Sequence, residues 1–186
     1  MAQRVCPWWL GYFLAGPIRG WLTEDPTELL APYLRVGNKV LEPGPGMGFF
    51  TLPMARMVGS QGRIVAVDIQ TRMLEGLGRR AKKAGLDDRI ERRLAKSEDL
   101  GVEDLAGTID FVLAFAVVHE LPSVEIFFRQ VAAAIKPGGS LLLAEPSGHV
   151  NQELWNRELQ SAQIAGLTFA TSPSIRRSRS ALFKKM

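Results

Sequence analysis

Glycines at alternate positions behind an acidic residue stand where this chain can hold a charged ligand. Glu42-Pro43-Gly44-Pro45-Gly46-Met47-Gly48 follows the short apolar run Lys39 to Leu41 and precedes the apolar stretch Phe49 to Val58. Glycine lets backbone approach a ligand closely and permits positive φ. A helix beginning just beyond it aims N–H groups and the positive end of its dipole at that ligand. Such a turn suits a pyrophosphate or a carboxylate, so the glycines alone do not choose. The spacing is G-x-G-x-G, whereas the dinucleotide fingerprint is G-x-G-x-x-G, and position 49 is Phe49. Glu42 would repel a pyrophosphate and attract an ammonium group. An amino acid carried on a nucleoside meets that demand.

The elements that must position this turn alternate between strand and helix. Asp25-Pro26-Thr27-Glu28 reads as a helix start, with an N-cap, proline at the first helical position and an acid three residues after the cap. Leu29, Leu30, Tyr33 and Leu34 give that helix an apolar face, and Gly37 ends it. A helix over 49–58 follows the glycine turn. Ile64 to Val67 then forms an unbroken apolar run, as in a strand buried on both faces, and ends in Asp68. A helix from about 70 to 84 carries Met73, Leu74 and Leu77 inside and Arg79, Arg80, Lys82 and Lys83 on a solvated outer face. Ile90 to Leu94 is a charge-rich strand suited to a sheet edge, and Ile109 to Phe115 is a buried one. Ser123 caps a helix over 123–135. Lys136-Pro137-Gly138-Gly139 reads as a tight turn into a strand from Ser140 to Glu145. A helix over 150–165 and strands over 167–171 and 179–184 complete the pattern.

In the glycine turn, the acid-ended second strand and the run IKPGGSLLLAEP, the chain resembles the class I S-adenosylmethionine-dependent methyltransferases. The first motif of that family reads acidic-x-G-x-G-x-G, and the resemblance covers about residues 25–185. It implies an α/β fold: a doubly wound, Rossmann-like seven-stranded sheet with a terminal antiparallel strand and helices on both faces. It implies S-adenosylmethionine as cofactor, S-adenosylhomocysteine as product, and methyl transfer to a nucleophile. Cofactor contacts are then expected at Glu42, Gly44, Gly46, Gly48, Asp68, Ile69 and Phe115. Asp68 would accept from the ribose hydroxyls, cap the next helix, or do both, and Ile69 would touch the adenine. Where the family often places an acid for the adenine amino group, this chain has Lys96. The contact is therefore expected from Ser97, Glu98 or backbone groups.

His119, a few residues past the fourth strand, has a pKa suited to removing a proton from the acceptor, and is the candidate catalytic base. The competing reading is a histidine that only bonds a neighbouring group. Glu120 is a possible partner. Trp8, Trp9, Tyr12, His119, Glu145 and His149 are the expected acceptor contacts. AVVHELP followed by KPGG resembles the branch holding quinone-biosynthesis and arsenite methyltransferases, which implies a small-molecule acceptor. Cys6 alone cannot supply the several thiols that arsenite requires. Ala114-Phe115-Ala116-Val117 is not an Asn-Pro-Pro-Tyr-type tetrapeptide, which argues against methylating the amino group of a base. Two other readings stay open. One is an RNA or other nucleic-acid methyltransferase using the basic tail and the 79–96 basic cluster; the other is a cofactor-binding protein without turnover.

Composition bounds these readings. A chain of 186 residues is most simply one folded domain, taken as 25–186, preceded by an aromatic cap segment over 1–24. One cysteine excludes an internal disulfide and fits a reducing, cytoplasmic setting; with two histidines, no zinc site is expected. Residues 171–186 hold five basic side chains and no acid (Arg176, Arg177, Arg179, Lys184, Lys185), a pattern expected of a solvated edge strand and open to nucleic acid. Residues 5–18 carry no charge and include Trp8, Trp9, Tyr12 and Phe13, but Pro7, Gly11, Gly16 and Pro17 interrupt them. The run is shorter than the roughly 20 apolar residues that a bilayer span needs. No small-x-small cleavage site follows it. It is expected to serve as core, as a lid over the acceptor, or as a surface anchor on a membrane.

Overall fold

The computed structural model describes residues 25–186. Its strands are β1 (Lys39–Pro43), β2 (Arg63–Asp68), β3 (Ile90–Leu94), β4 (Ile109–Phe115), β5 (Ile135–Pro146), β6 (Leu167–Thr171) and β7 (Ser178–Lys185). They form one seven-stranded sheet in the order β3-β2-β1-β4-β5-β7-β6. Its helices are α1 (Pro26–Leu30), α2 (Thr51–Met57), α3 (Thr71–Lys83), α4 (Val124–Ala134) and α5 (Gln152–Ile164). By compactness the described chain divides at Leu94/Ala95 into two units.

In the first unit, β1 pairs in parallel with β2, and β2 with β3. Every residue from Ile64 to Asp68 is buried, and from Val40 to Pro43 likewise. That is the burial expected of parallel strands covered on both faces. Asp25 caps α1 by accepting the Thr27 N–H at 2.6 Å. The helix stops at Leu30, short of the sequence expectation, because Pro32 has no N–H to continue the ladder. Leu30 and Leu34 are still buried, and Gly37 turns the chain into β1 at φ 87°. β3 lies at a sheet edge, as its charges suggested. Only its Ile90 is buried, and Glu91 pairs with both Arg63 and Arg93.

In the second unit, β4 pairs in parallel with β5, while β7 runs antiparallel to both β5 and β6. Ser123 caps α4 through the Ile126 N–H, and Asn151 caps α5 through that of Leu154. Lys136 to Gly139 is not a turn ahead of the strand. It bulges out of one continuous β5, since Ile109 pairs with Ile135 but Phe111 with Ser140. Gly138 takes φ 78°, and a Cβ on Gly139 would come 3.0 Å from the carbonyl oxygens of Ile109 and Asp110, so glycine lets the bulge close. The basic tail strand also differs from expectation. β7 is interior and β6 is the edge. Arg179 donates to the Val150 carbonyl and the Gln152 side chain, and Lys185 to the Ala132 carbonyl. These two cations are committed to the fold; Arg177 and Lys184 are exposed.

Candidate active site

The first unit builds the glycine turn. Glu42, 3% exposed at the end of β1, accepts a 2.6 Å hydrogen bond from Thr51 Oγ1. Thr51 is the first residue of α2 and fully buried, so strand end and helix start are tied through one carboxylate. Gly44, Gly46 and Gly48 all adopt positive φ, at 67°, 53° and 88°. Their tasks are different. The Gly44 N–H donates to the Val67 carbonyl, holding the turn against β2. A Cβ on Gly48 would stand 2.5 Å from Leu77 Cδ1, so this glycine permits α3 to pack against the turn. A Cβ on Gly46 would meet nothing within 4 Å. Gly46 is the one of the three whose bareness neither turn nor core packing accounts for.

α3 grips the same turn from below. Met47 is buried against Gly76, whose hypothetical Cβ would come within 3.0 Å of it. Arg80 Nη1 donates to the Met47 carbonyl at 2.6 Å. Burial lowers the Arg80 pKa from its usual value. Arg80 therefore does not belong to the solvated face where its neighbours placed it. Thr51, Gly76 and Arg80 carry no signal in the glycine motif itself. The periodicity of α3, which sets Gly76 and Arg80 one turn apart, is the trace that could have found the last two.

Asp68 closes β2 at 9% exposure, and its Oδ1 accepts the Gln70 N–H at 2.8 Å, two residues ahead. The N-cap of α3 is Gln70, so Asp68 braces the approach to the helix without being its cap residue. Ile69 is 43% exposed and Leu94, at the end of β3 and in register with Asp68, is 60% exposed. Two bare apolar side chains at the carboxyl ends of paired strands offer a surface for a flat ring. Sequence reading named Ile69 and did not name Leu94.

The second unit carries the loop after β3 and the acid–histidine cluster. Ser97 and Glu98 are exposed in a tight turn closed by Lys96 and Asp99. Gln130 of α4 pins this turn, donating to the Glu98 carbonyl and accepting the Leu100 N–H. Phe115 ends β4 half-buried. Immediately after it, Ala116 takes φ 55°, a conformation an alanine adopts only when the surroundings impose it. Beyond it, the Val117 and Val118 N–H groups both donate to Glu145 Oε1, at 3.1 and 2.7 Å. Glu145 Oε2 pairs with His119 Nδ1. This fully buried carboxylate on β5 thus has three donors.

With its Nδ1–H committed to Glu145, a neutral His119 has its lone pair at Nε2, the nitrogen that can accept a proton. Burial pulls the His119 pKa down, but the hydrogen bond and charge of Glu145, with the charge of Glu120, outweigh it and leave the pKa raised. The His149 ring lies 6.0 Å away, tilted by 60°, and is exposed. Sequence reading singled out His119, Glu145 and His149, and the structure brings the three together. It did not single out Glu158 of α5, fully buried with neither carboxyl oxygen hydrogen-bonded among the described residues. Burial and the charge of Glu145 raise its pKa to about 8. Trp8, Trp9 and Tyr12 lie outside the described residues. Among the described residues, no group of three or more His, Cys, Asp or Glu side chains is arranged to hold a metal ion.

A seven-stranded sheet whose strand order reverses after β1, with an acid–glycine turn at the end of that strand, defines the class I methyltransferase fold. Residues 34–172 match the family model described as a methyltransferase domain, and the chain belongs to that family. It is 34% identical over 119 residues to a ubiquinone biosynthesis O-methyltransferase of Methylocella silvestris, covering 64% of this chain and 44% of that protein. It is 31% identical over 121 residues to the ubiquinone/menaquinone biosynthesis C-methyltransferase UbiE of Cronobacter sakazakii, covering 65% and 47%. The chain thus spans less than half the length of either relative. A SAM-dependent methyltransferase from Aquifex aeolicus superposes with a TM-score of 0.83 at 24% identity, over 97% of this chain and 98% of that one, and shares its fold.

Proposed function

We propose that the chain binds S-adenosylmethionine at the glycine turn and transfers its methyl group to a small-molecule acceptor. The observation that carries this reading is Gly46, a positive-φ glycine with open space where its side chain would be, in a turn opened by a buried carboxylate. A cationic amino-acid portion fits there: the open face admits it, and the Glu42 carboxylate that opens the turn has the sign that attracts it. Asp68 suits ribose hydroxyls, while Ile69 and Leu94 suit adenine. Ser97, Glu98 and Phe115 remain candidate contacts of the same ligand. When bound, the cofactor supplies an activated methyl on a sulfonium that leaves as a neutral thioether.

The chain's own residues then handle the acceptor's proton. His119 Nε2 takes it, and Glu145 holds the ring in the required tautomer and stabilises the imidazolium that results. His149, beside His119, is a candidate acceptor contact. The quinone-biosynthesis relatives favour an aromatic acceptor with an ionisable hydroxyl. The setting proposed is cytoplasmic; among the described residues no helix is long and apolar enough to cross a membrane. The nucleic-acid reading loses support because Arg179 and Lys185 are committed inside the fold. The test combines calorimetry with S-adenosylhomocysteine and labelled-methyl transfer to a panel of phenols and quinols. Micromolar binding with transfer is expected. Binding without transfer to any acceptor, nucleic acid included, would favour a cofactor-binding protein, and no binding would refute the reading.

A further inference from the structure

The basic strand β7 carries Arg179, a side chain to which the transfer proposed above gives no part. β7 pairs with β5 in antiparallel register, and Arg179 lies directly opposite Glu145. Residues directly opposite in an antiparallel ladder share one face of the sheet. Glu145 binds the segment that carries His119, through the Val117 N–H, the Val118 N–H and His119 Nδ1. Arg179 does the equivalent for His149. Its Nε donates to the Val150 carbonyl at 3.2 Å and its Nη1 to the Gln152 side chain at 2.7 Å, so one guanidinium grips the chain just after His149. One pair of facing residues thus holds both histidine-bearing segments.

The chain just before His149 is held from the start of the same strand. The Arg177 carbonyl accepts both the Ser147 N–H and the Ser147 hydroxyl, each at 3.0 Å. Arg177 itself takes φ 57°, a conformation that a residue with a side chain keeps only where its surroundings impose it. Between the two grips the turn closes on itself, with the His149 and Val150 N–H groups both donating to the Pro146 carbonyl at 3.0 Å. Val150 is buried, whereas Ser147, Gly148 and His149 are exposed. An exposed turn has little packing to fix it, so the bonds from β7 decide where His149 stands. Its ring stands 6.0 Å from that of His119.

We propose that Arg179 is a positioning residue of the acceptor site: from β7 it fixes the turn that bears His149, and so sets the spacing between the two imidazoles. An imidazole offers one donor and one acceptor nitrogen when neutral and two donors when charged, so either form can bond an oxygen of the acceptor. His149 holds the acceptor while His119 takes its proton, and the separation of the rings limits which acceptors reach both. A guanidinium reaches two partners in a fixed fork, which a lysine ammonium does not reproduce. The inference rests on the proposed transfer to a small molecule, yet the ring spacing can be measured without cofactor or acceptor.

The chain has two histidines, so NMR of the full-length protein resolves both rings, assigned with His149→Gln. A nuclear Overhauser contact between the rings is expected in the unaltered protein. It should be lost in Arg179→Met, and also in Arg179→Lys, which keeps the charge without the fork. With the phenol or quinol of the panel that is methylated fastest, Arg179→Met should raise the acceptor KM about tenfold or more, while kcat stays within about threefold. His149→Gln should raise KM by a similar factor, and adding Arg179→Met to it should cost less than about twofold more, because the two act through one ring. No ring contact in the unaltered protein, a contact that survives in Arg179→Met, or KM losses that multiply in the double variant would overturn the inference. So would a pH midpoint of kcat that moves in Arg179→Met, since Arg179 would then act through Glu145. If Arg179→Met does not fold, Arg179→Lys serves in its place, and failure of both to fold would also overturn it, the arginine then holding the fold and not the turn. A lost ring contact in a protein that methylates nothing sinks the proposed function alone; transfer with an unmoved contact sinks this inference alone.

Discussion

Replacing Gly46 and Gly48 by alanine separates the ligand's glycine from the core's. Both have positive φ, 53° and 88°, so each alanine pays a backbone cost of roughly 1–2 kcal/mol. At Gly46 the cost ends there, because the new methyl meets nothing within 4 Å. At Gly48 it would stand 2.5 Å from Cδ1 of Leu77, a fully buried side chain of α3 that has little room to yield. Overpacking of this kind adds about 1–3 kcal/mol. Urea unfolding should therefore rank the unaltered protein above Gly46→Ala, and Gly46→Ala above Gly48→Ala. Calorimetry with S-adenosylhomocysteine should rank the variants the other way round. Gly46→Ala should bind about 10- to 100-fold more weakly, which is roughly 1.4–2.7 kcal/mol, and Gly46→Val not measurably, while folded Gly48→Ala keeps affinity within about tenfold. Unchanged affinity in Gly46→Ala would refute the assignment of the turn. So would a Gly46→Ala protein as unstable as Gly48→Ala, because the open space at Gly46 would then be illusory.

Four further outcomes follow from the same geometry. Asp68→Ala should weaken cofactor binding by about 1.5–3 kcal/mol, and much less for an analogue lacking ribose hydroxyls; equal losses in calorimetry would remove Asp68 from the ribose. Thr51→Val removes the hydroxyl that donates to Glu42 and should cost about 1.5–3 kcal/mol in urea unfolding, with weaker cofactor binding beside it; unchanged stability would show the bond to be idle. Because Glu145 holds the His119 pKa above 6.5, transfer should rise with pH through a midpoint above that value, and Glu145→Gln, leaving burial dominant, should move the midpoint below it while lowering kcat about 10²- to 10⁴-fold. A pH profile that does not move would remove Glu145 from the proton's path. Glu158, raised from 4.5 to about 8, holds a proton that the unfolded chain releases, so stability falls as pH rises from about 4.5 to 8; unfolding at pH 4.5 and 7 should show Glu158→Met gaining about 3 kcal/mol on the unaltered protein between them, and a constant gap would refute this.

What the sequence made legible was the part of the fold encoded by local pattern. Ile64 to Val67 and Phe111 to Phe115 announce buried parallel strands by unbroken apolar runs, and Ser123 marks a helix start by chemistry that acts within a few residues. Departures came where a distant element decides the outcome. Whether Lys136 to Gly139 is a turn or a bulge depends on Ile109 pairing with Ile135 ahead of it, a register that no local pattern contains. Whether a basic strand is edge or interior depends on where β6 lies, and a charged strand can be interior when its cations reach carbonyls, as Lys185 reaches that of Ala132.

The candidate site divides along the same line. Glu42, the glycines and Asp68 are legible because each follows an apolar strand run closely enough for local pattern to place it. Thr51, Arg80 and Leu94 act on those residues from the next helix or the next strand, and their types are unremarkable in their own stretches. Glu158 is the extreme case. Among Arg157, Leu159 and the polar residues of α5 it reads as one more surface charge, and only its full burial, without a hydrogen-bond partner, marks it out. A surface glutamate and a buried acid are the same letter; burial first, and then the charge of Glu145, push the Glu158 pKa up to about 8. The proton chemistry of this chain is therefore set by tertiary placement, while its cofactor turn is set by local sequence. Substitutions that preserve the glycine turn can retune the acid–histidine cluster, and the reverse holds as well.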